Sequence, residues 1–486
     1  MRRAKIIATL GPALDDPVRL RAAIEAGSDV FRFNFSHGSL DDHRERLRLV
    51  RELGEQVGRV VGTLGDLQGP KIRLGEVADG GVVLEQDAQV VLVAGESRLA
   101  MTHDDEGTPV LPVVYPALAD DVSTGSLVLI DDGSIRLVVE DSDTTTRRVR
   151  AKVVVGGTAT SRKGVNLPGV QVSAPSLTEK DREDLENMVA MGIDWIAISF
   201  VRRVEDVLEV RAMIERLGGQ QPVIAKLERP EALDDLEEIV AASDAIMVAR
   251  GDLGVEIGPE RVPAIQKEII DLANRLGRPV ITATEMLDSM IRSPRPTRAE
   301  ASDVANAIFD GSDAVMLSGE TAAGKYPVEA VRTMARIIEV AESTYERVRQ
   351  VWPETAHVLG RSVAKAATQI ADEVDAIAIL VFSLSGASVQ LVSKYRPKQR
   401  IVGLTPDERA LRRFALMWGT DGAIVPTEDR SLDLMRSADA VCRAGGIGRV
   451  GDRVVIVAGV PGGLGGTNRV IVHELGDEAN LTVGGR

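Results

Sequence analysis

Short apolar runs alternate with amphipathic stretches over the first 69 residues, stop, and resume at Ser176. That interrupted alternation narrows the folds open to the chain more than any other feature. Strands are expected at residues 5–10, 30–35, 60–67, 195–200, 223–227, 245–249, 280–283 and 314–317. Helical periodicity marks 18–26 and 41–53, and Ser176-Leu-Thr-Glu-Lys reads as a helix start. Eight strands separated by helices are what a closed parallel barrel requires, and a helix at 328–345 would end it.

Between Pro70 and about Ala174 the helical period is gone. Val-rich runs broken by Gly, Asp and Ser take its place, with Asp131-Asp132-Gly133 placed like a hairpin turn. This reads as a small β domain inserted in a barrel loop. Beyond a bridge near Trp352-Pro353, strands at 376–382, 400–404, 422–425, 453–460 and 469–474 alternate with helices, as in a separate three-layer α/β domain. The expected architecture is an α/β (β/α)8 TIM barrel from residues 1–69 and 175–345, a β-barrel insertion at 70–174, and a C-terminal α/β domain at 346–486.

A net charge of -15 argues against a nucleic-acid partner, which would want a basic face. It leaves anionic small substrates open, because a local cluster of cations overrides the global field. The lone cysteine, Cys442, allows no internal disulfide and fits a reducing cytosol, so a cytoplasmic location is expected. The apolar run at the start is too short for a signal peptide, and no window approaches a membrane span.

The polar residues are unevenly placed. Lys226 and Glu228 close the fifth expected strand, and Arg250-Gly251-Asp252 the sixth. Arg32, Asn34, Ser36 and His37 follow the second, and Asp66 the third. Thr282, Thr284 and Glu285 follow the seventh, and Ser318-Gly319-Glu320 the eighth. One polar residue at a strand end carries little information. A ring of them over an apolar barrel implies a bound ion or ligand, because isolated buried charges cost several kcal/mol. Two carboxylates and an ammonium in one crevice suit a divalent cation holding phosphate. No Walker P-loop is present, and Pro461-Gly-Gly-Leu-Gly-Gly-Thr467 does not open a helix in dinucleotide fashion.

Eight segments in order resemble the pyruvate kinase family over essentially the whole chain. They are Lys5-Ile-Ile-Ala-Thr-Leu-Gly-Pro12, Arg32-Phe-Asn-Phe-Ser-His-Gly38, Asp66-Leu-Gln-Gly-Pro-Lys-Ile-Arg73 and Lys163-Gly-Val-Asn-Leu-Pro168. Met247-Val-Ala-Arg-Gly-Asp-Leu-Gly-Val-Glu256, Thr282-Ala-Thr-Glu-Met-Leu-Asp-Ser-Met290, Pro296-Thr-Arg-Ala-Glu-Ala-Ser-Asp303 and Met316-Leu-Ser-Gly-Glu-Thr321 complete the set. The resemblance implies phosphoryl transfer from phosphoenolpyruvate to ADP, giving pyruvate and ATP, in a homotetramer. It implies that Glu228 and Asp252 hold Mg2+ or Mn2+ and that Lys226 neutralises charge on the phosphoryl group and the enolate. Gly251, Asp252 and Thr284 would receive the substrate carboxylate, and Arg32, Arg73 and Lys163 would grip phosphates. Asn34, Ser36 and His37 would lie beside the nucleotide, and Thr284, Ser318 and Glu320 would support a proton-relaying water.

The chain departs from many family members at one place. Those members bind K+ through positions that map to Asn34, Ser36, Asp66 and the Leu67 carbonyl, and carry Glu where Lys71 stands here. The set Leu67, Gln68 and Lys71 resembles the K+-independent branch, the Lys71 ammonium standing in for the ion. In the C-terminal domain, Ser383-Leu-Ser-Gly-Ala-Ser388 follows a strand and precedes a helix, so Ser383, Ser385, Gly386 and Ser388 could cradle a phosphate. The resemblance implies a sugar-phosphate effector there, with Thr405 and the 462–467 loop as neighbours. Two other readings stay open: another phosphoenolpyruvate enzyme on a similar barrel, disfavoured by Arg73 and Lys163, and a non-catalytic sensor, disfavoured by retention of Lys226 and both carboxylates.

Overall fold

Eight parallel strands close on themselves in this computed structural model, which describes residues 2–77, 80–99, 101–344, 353–354, 358–427, 430–459 and 466–476. They are β1 (Lys5–Thr9), β2 (Val30–Asn34), β3 (Gly62–Asp66), β4 (Trp195–Ile198), β5 (Val223–Leu227), β6 (Ala245–Ala249), β7 (Val280–Ala283) and β8 (Ala314–Leu317). Each pairs with its sequence neighbour, and β1 pairs with β8 in the register Lys5↔Ala314 to close the ring. Side chains alternate across each strand. Ile7, Val30, Leu64, Ala197, Ile224, Met247, Ile281 and Met316 fill the barrel, while Ile6, Phe31, Ile196, Ile246 and Val315 pack outward under the helices. Burial on both faces explains why the strands read as continuous apolar runs.

The insertion carries its own core and two sheets, one of six strands and one of two. Strands Leu127–Ile130 and Ile135–Asp143 pair antiparallel across the Asp131-Asp132-Gly133 turn, where all three residues have positive φ. Among the described residues of this segment the one helix is a single turn, Leu118–Asp121. The C-terminal sheet has five strands in the order Thr420–Ile424, Arg400–Thr405, Ala378–Phe382, Arg453–Gly459, Thr467–Glu474. Ile379 and Val381 join one apolar cluster and Ala378 and Leu380 another, so helices cover both faces. The last strand runs antiparallel, closing the sheet as a hairpin partner rather than as another βα unit. Ala415 and Leu416 from this domain plug the foot of the barrel against Ile7, Leu64 and Trp195.

Trp352 and residues 462–465 lie outside the described residues. Among the described residues no helix is long and apolar enough to cross a membrane.

Candidate active site

Following the inward face of each strand upward by two residues leads from the apolar filling to a polar layer. Ile7 is succeeded by Thr9, Val30 by Arg32, Leu64 by Asp66, Ala197 by Ser199, and Ile224 by Lys226 and then Glu228. The alternation that packs the barrel therefore converges these groups at its carboxyl mouth. Asp66 and Glu228 are each about 1% exposed and Lys226 is 9% exposed.

The Lys226 ammonium lies 2.7 Å from Ser199 Oγ, 2.9 Å from Glu228 Oε1 and 3.2 Å from Asp66 Oδ1. Three donors meet three acceptors. Asp66 Oδ2 takes the Arg32 Nε–H at 2.7 Å, and Arg32 also donates to Thr9 Oγ1 at 3.3 Å. Burial alone would raise the Asp66 carboxyl, but Lys226 and Arg32 overrule it and hold it below the usual carboxylate range. Burial pulls on Lys226 in the discharging direction, and Asp66 and Glu228 outweigh it, so the ammonium stays charged. Glu228 is different. Burial pushes it up, and repulsion from Asp252 adds to the push despite Lys226.

Asp252 sits in the first turn of the helix Arg250–Ile257, directly after β6, with Lys71 Nζ 3.3 Å from its Oδ1. Glu228 and Asp252 thus feel each other's charge across the mouth. Among the described residues no group of three or more His, Cys, Asp or Glu is arranged to hold a metal. A pair of carboxylates is nonetheless what Mg2+ asks of a protein when phosphate and water complete its shell. The repulsion from Asp252 that adds to the burial of Glu228 is what a bound cation would relieve.

Thr284 and Glu285, just past β7, both have positive φ, 67° and 55°. A β-branched residue in that region is a strained outlier. The strain is held by Gly251 N–H donating to Thr284 Oγ1 at 2.8 Å and by Arg250, which donates to the Thr284 carbonyl at 2.8 Å. A Cβ on Gly251 would come within 3.6 Å of that same Oγ1. Arg250 is itself anchored on Asp303 at 2.6 Å.

Not every expected residue joins this cluster. His37 is pulled below its ordinary value by burial and then by Arg73, Arg32 and Lys71, so a neutral imidazole faces a cationic basin. Asn34 Oδ1 accepts the Ser36 N–H at 3.2 Å, which shapes the loop. Arg73 donates to the Arg162 carbonyl at 3.2 Å, and Lys163 pairs with Asp131 at 2.8 Å on the inserted domain. Both oxygens of Glu320 are engaged by backbone: Leu287 N–H at 3.0 Å and Ser318 N–H at 2.7 Å. Burial raises this carboxyl against those amides. Glu320 therefore clamps the Ser318 turn through its own carboxylate. In the C-terminal domain Ser383 Oγ accepts the Gly386 N–H at 3.0 Å, Ser388 bonds Thr467, and Thr405 Oγ1 accepts the Asp407 N–H at 3.2 Å.

Ser199 and Thr9 belong to the cluster without standing out in the sequence, where a lone hydroxyl at a strand end is unremarkable. Counting by two from Ala197 and Ile7 finds both. Asp181, which caps its own helix at Thr178, also accepts the Gly69 N–H at 3.0 Å across the fold. Only the capping role has a local signature.

Residues 1–331 match the family model described as pyruvate kinase, barrel domain, and residues 361–473 match pyruvate kinase, alpha/beta domain. The chain is 46% identical to a pyruvate kinase of Geobacillus stearothermophilus over 98% of its own length and 81% of the relative's. It is 44% identical to one of Staphylococcus aureus over the same shares. A solved pyruvate kinase from Cryptosporidium parvum superposes with a TM-score of 0.88 at 34% identity, covering 97% of this chain and 96% of that one.

Proposed function

This chain belongs to the pyruvate kinase family of phosphotransferases, and we propose that its barrel mouth moves the phosphoryl group of phosphoenolpyruvate to ADP, releasing pyruvate and ATP. The observation that carries the proposal is the Lys226 ammonium, held on three acceptors, one of which is Glu228, itself within reach of the charge of Asp252. Phosphoryl transfer asks for in-line placement and charge neutralisation more than for covalent help. Glu228 and Asp252 would hold Mg2+ or Mn2+, which supplies positive charge to the phosphoryl oxygens when bound. Lys226 and Arg32 neutralise the group in transfer, and Lys226 also steadies the enolate oxygen. The Asp252 N–H and Thr284 receive the substrate carboxylate, joined by the Gly251 N–H once it leaves Thr284 Oγ1. Asn34, Ser36, His37, Arg73 and Lys163 face the nucleotide, the last two brought in by the inserted domain at 70–174 acting as a lid that excludes water. Thr284 and Ser318 hydroxyls serve the proton that reaches the enolate carbon, with Glu320 holding the Ser318 turn. A coupled pyruvate-formation assay with phosphoenolpyruvate, ADP and Mg2+ tests the reading. Absence of pyruvate would end it.

Lys71 supports a K+-independent reaction. Its ammonium reaches Asp252, and three of the four positions equivalent to K+ ligands are already engaged. Asp66 holds Arg32 and Lys226, the Leu67 carbonyl takes the Ser199 hydroxyl, and Asn34 Oδ1 takes Ser36. Replacing K+ by tetramethylammonium should change kcat by no more than about 2-fold, because a fixed charge already occupies the field the ion would supply. A large activation by K+ contradicts this.

The loop 383–388 is our candidate for a sugar-phosphate effector site, within a C-terminal domain that also mediates assembly into a homotetramer in the cytoplasm. Ser385 is exposed, and Gly386 (φ 94°) opens the helix Ala387–Lys394 behind it. A ligand that binds only the folded state raises its stability with concentration. Sugar phosphates should therefore raise the melting temperature dose-dependently, and a flat response across a panel of them removes the site.

A further inference from the structure

We infer that Ser199 is a positioning residue for the reaction, fixing the Lys226 ammonium and tying it to the strand that leads into the inserted domain. The inference rests on the phosphoryl-transfer reading above.

Ser199 is 2% exposed and lies one residue past β4, on the inward face that Ala197 begins. Its contact with Lys226 Nζ is the shortest of the three that the ammonium makes. The hydroxyl donates to the Leu67 carbonyl at 2.7 Å, a normal length for an O–H···O bond, and its distance to Asp66 Oδ1 is 3.4 Å. A serine has one proton. With that proton on Leu67, a lone pair is left facing Lys226, so the direction of the third ammonium hydrogen is set by a neutral group. The two carboxylates supply attraction; Ser199 supplies orientation.

The other end of this relay is the way out of the barrel. Leu67 follows Asp66 and precedes Gly69, whose φ is 68°. A Cβ on Gly69 would meet Phe200 Cδ2 at 2.7 Å and Ser199 Cβ at 3.1 Å, so this connection lies directly on residues 199–200. The Gly69 N–H is held by Asp181, whose other oxygen accepts the Thr178 N–H beyond the second connection. Phe200 N–H in turn donates to Glu228 Oε2 at 2.9 Å. Residues 199 and 200 therefore stand between the connections of the inserted domain and both Lys226 and Glu228. A shift of the first connection moves the Leu67 carbonyl, and with it the acceptor that aims Lys226.

A buried serine that merely satisfies its own hydrogen bonds would look similar, so the test must separate the two roles. Pyruvate formation is measured for the parent, Ser199→Ala, Lys226→Met and the double variant, with melting followed for each. Ser199→Ala is expected to lower kcat about 10-fold with KM for phosphoenolpyruvate and ADP within about 2-fold and melting unchanged. In the Lys226→Met background the same change should cost less than about 2-fold, because residues acting as a unit are not additive. An equal fold-loss in both backgrounds, or a Ser199→Ala enzyme with the parent's kcat, overturns the inference. Ser199→Cys, which keeps the volume with a weaker acceptor, stands in should the alanine variant not fold; loss of folding in both also overturns it. An inactive parent would instead sink the phosphoryl-transfer reading itself.

Discussion

Lys226→Met is expected to form pyruvate from phosphoenolpyruvate and ADP about 10³-fold more slowly than the parent at saturating Mg2+, the scale seen when a preorganised electrostatic donor is removed. Methionine has nearly the stem of lysine, so the packing against the barrel filling survives and the charge alone is lost. The consequences for the neighbours are unequal. Asp66 keeps Arg32 at 2.7 Å. Glu228 keeps only the Phe200 N–H on Oε2, and the repulsion from Asp252 goes unopposed by the ammonium. Burial already pushes that carboxyl up and the ammonium no longer offsets it, so the variant alters the metal site as well as the charge on the transferring group. Titrating Mg2+ separates the two effects. If excess Mg2+ restores the parent's kcat, Lys226 serves only the metal site and its role on the transferring group is wrong. If kcat stays down at saturation, the ammonium acts on the reacting atoms.

The same cluster shows what can be read from residues alone. Lys226, Glu228, Asp66 and Arg32 are legible because a charge at the end of a doubly buried strand is too costly to stand without a partner or a ligand. Ser199 is not, because serine at a strand end is ordinary and its value comes from Lys226 and Leu67, which are remote in sequence. For Glu320 the residues alone show the carboxylate but not its partners. A carboxylate in a Ser-Gly-Glu turn reads as chemistry, while the amides of Leu287 and Ser318 that occupy it can be seen only in three dimensions. Lys163 pairs with Asp131, a partner that pairing of lid strands brings close and that its own segment does not reveal. The eight barrel strands are legible through apolar runs bounded by helical periodicity. The antiparallel final strand is not, since a strand's direction leaves no mark on its own composition. The one helical turn at Leu118–Asp121 is too short to show a period.

At the foot of the barrel, Asp313→Ala should destabilise the protein by about 3–5 kcal/mol, whereas Lys394→Met should cost about 1 kcal/mol or less. Asp313 precedes β8 and is 1% exposed. It lies 2.5 Å from Lys394 Nζ and 2.9 Å from Arg396 Nη2, both carried by the C-terminal domain, and accepts the Val280 N–H at 2.8 Å. Two buried cations thus share one anion. Removing the anion leaves two buried cations on neutral acceptors, Lys394 on Asn274 Oδ1 and Arg396 on the Gly311 carbonyl; removing Lys394 leaves Asp313 still paired with Arg396, whose guanidinium stacks 4.6 Å from the Trp418 ring. Burial pulls Lys394 down to about 8 in spite of Asp313, so desolvation outweighs what the carboxylate returns, and an apolar side chain of similar length loses little. Urea unfolding followed by circular dichroism measures both variants. Equal losses would mean that the pair acts as a simple bridge and that the asymmetry of charge at this interface is not what holds the C-terminal domain against the barrel.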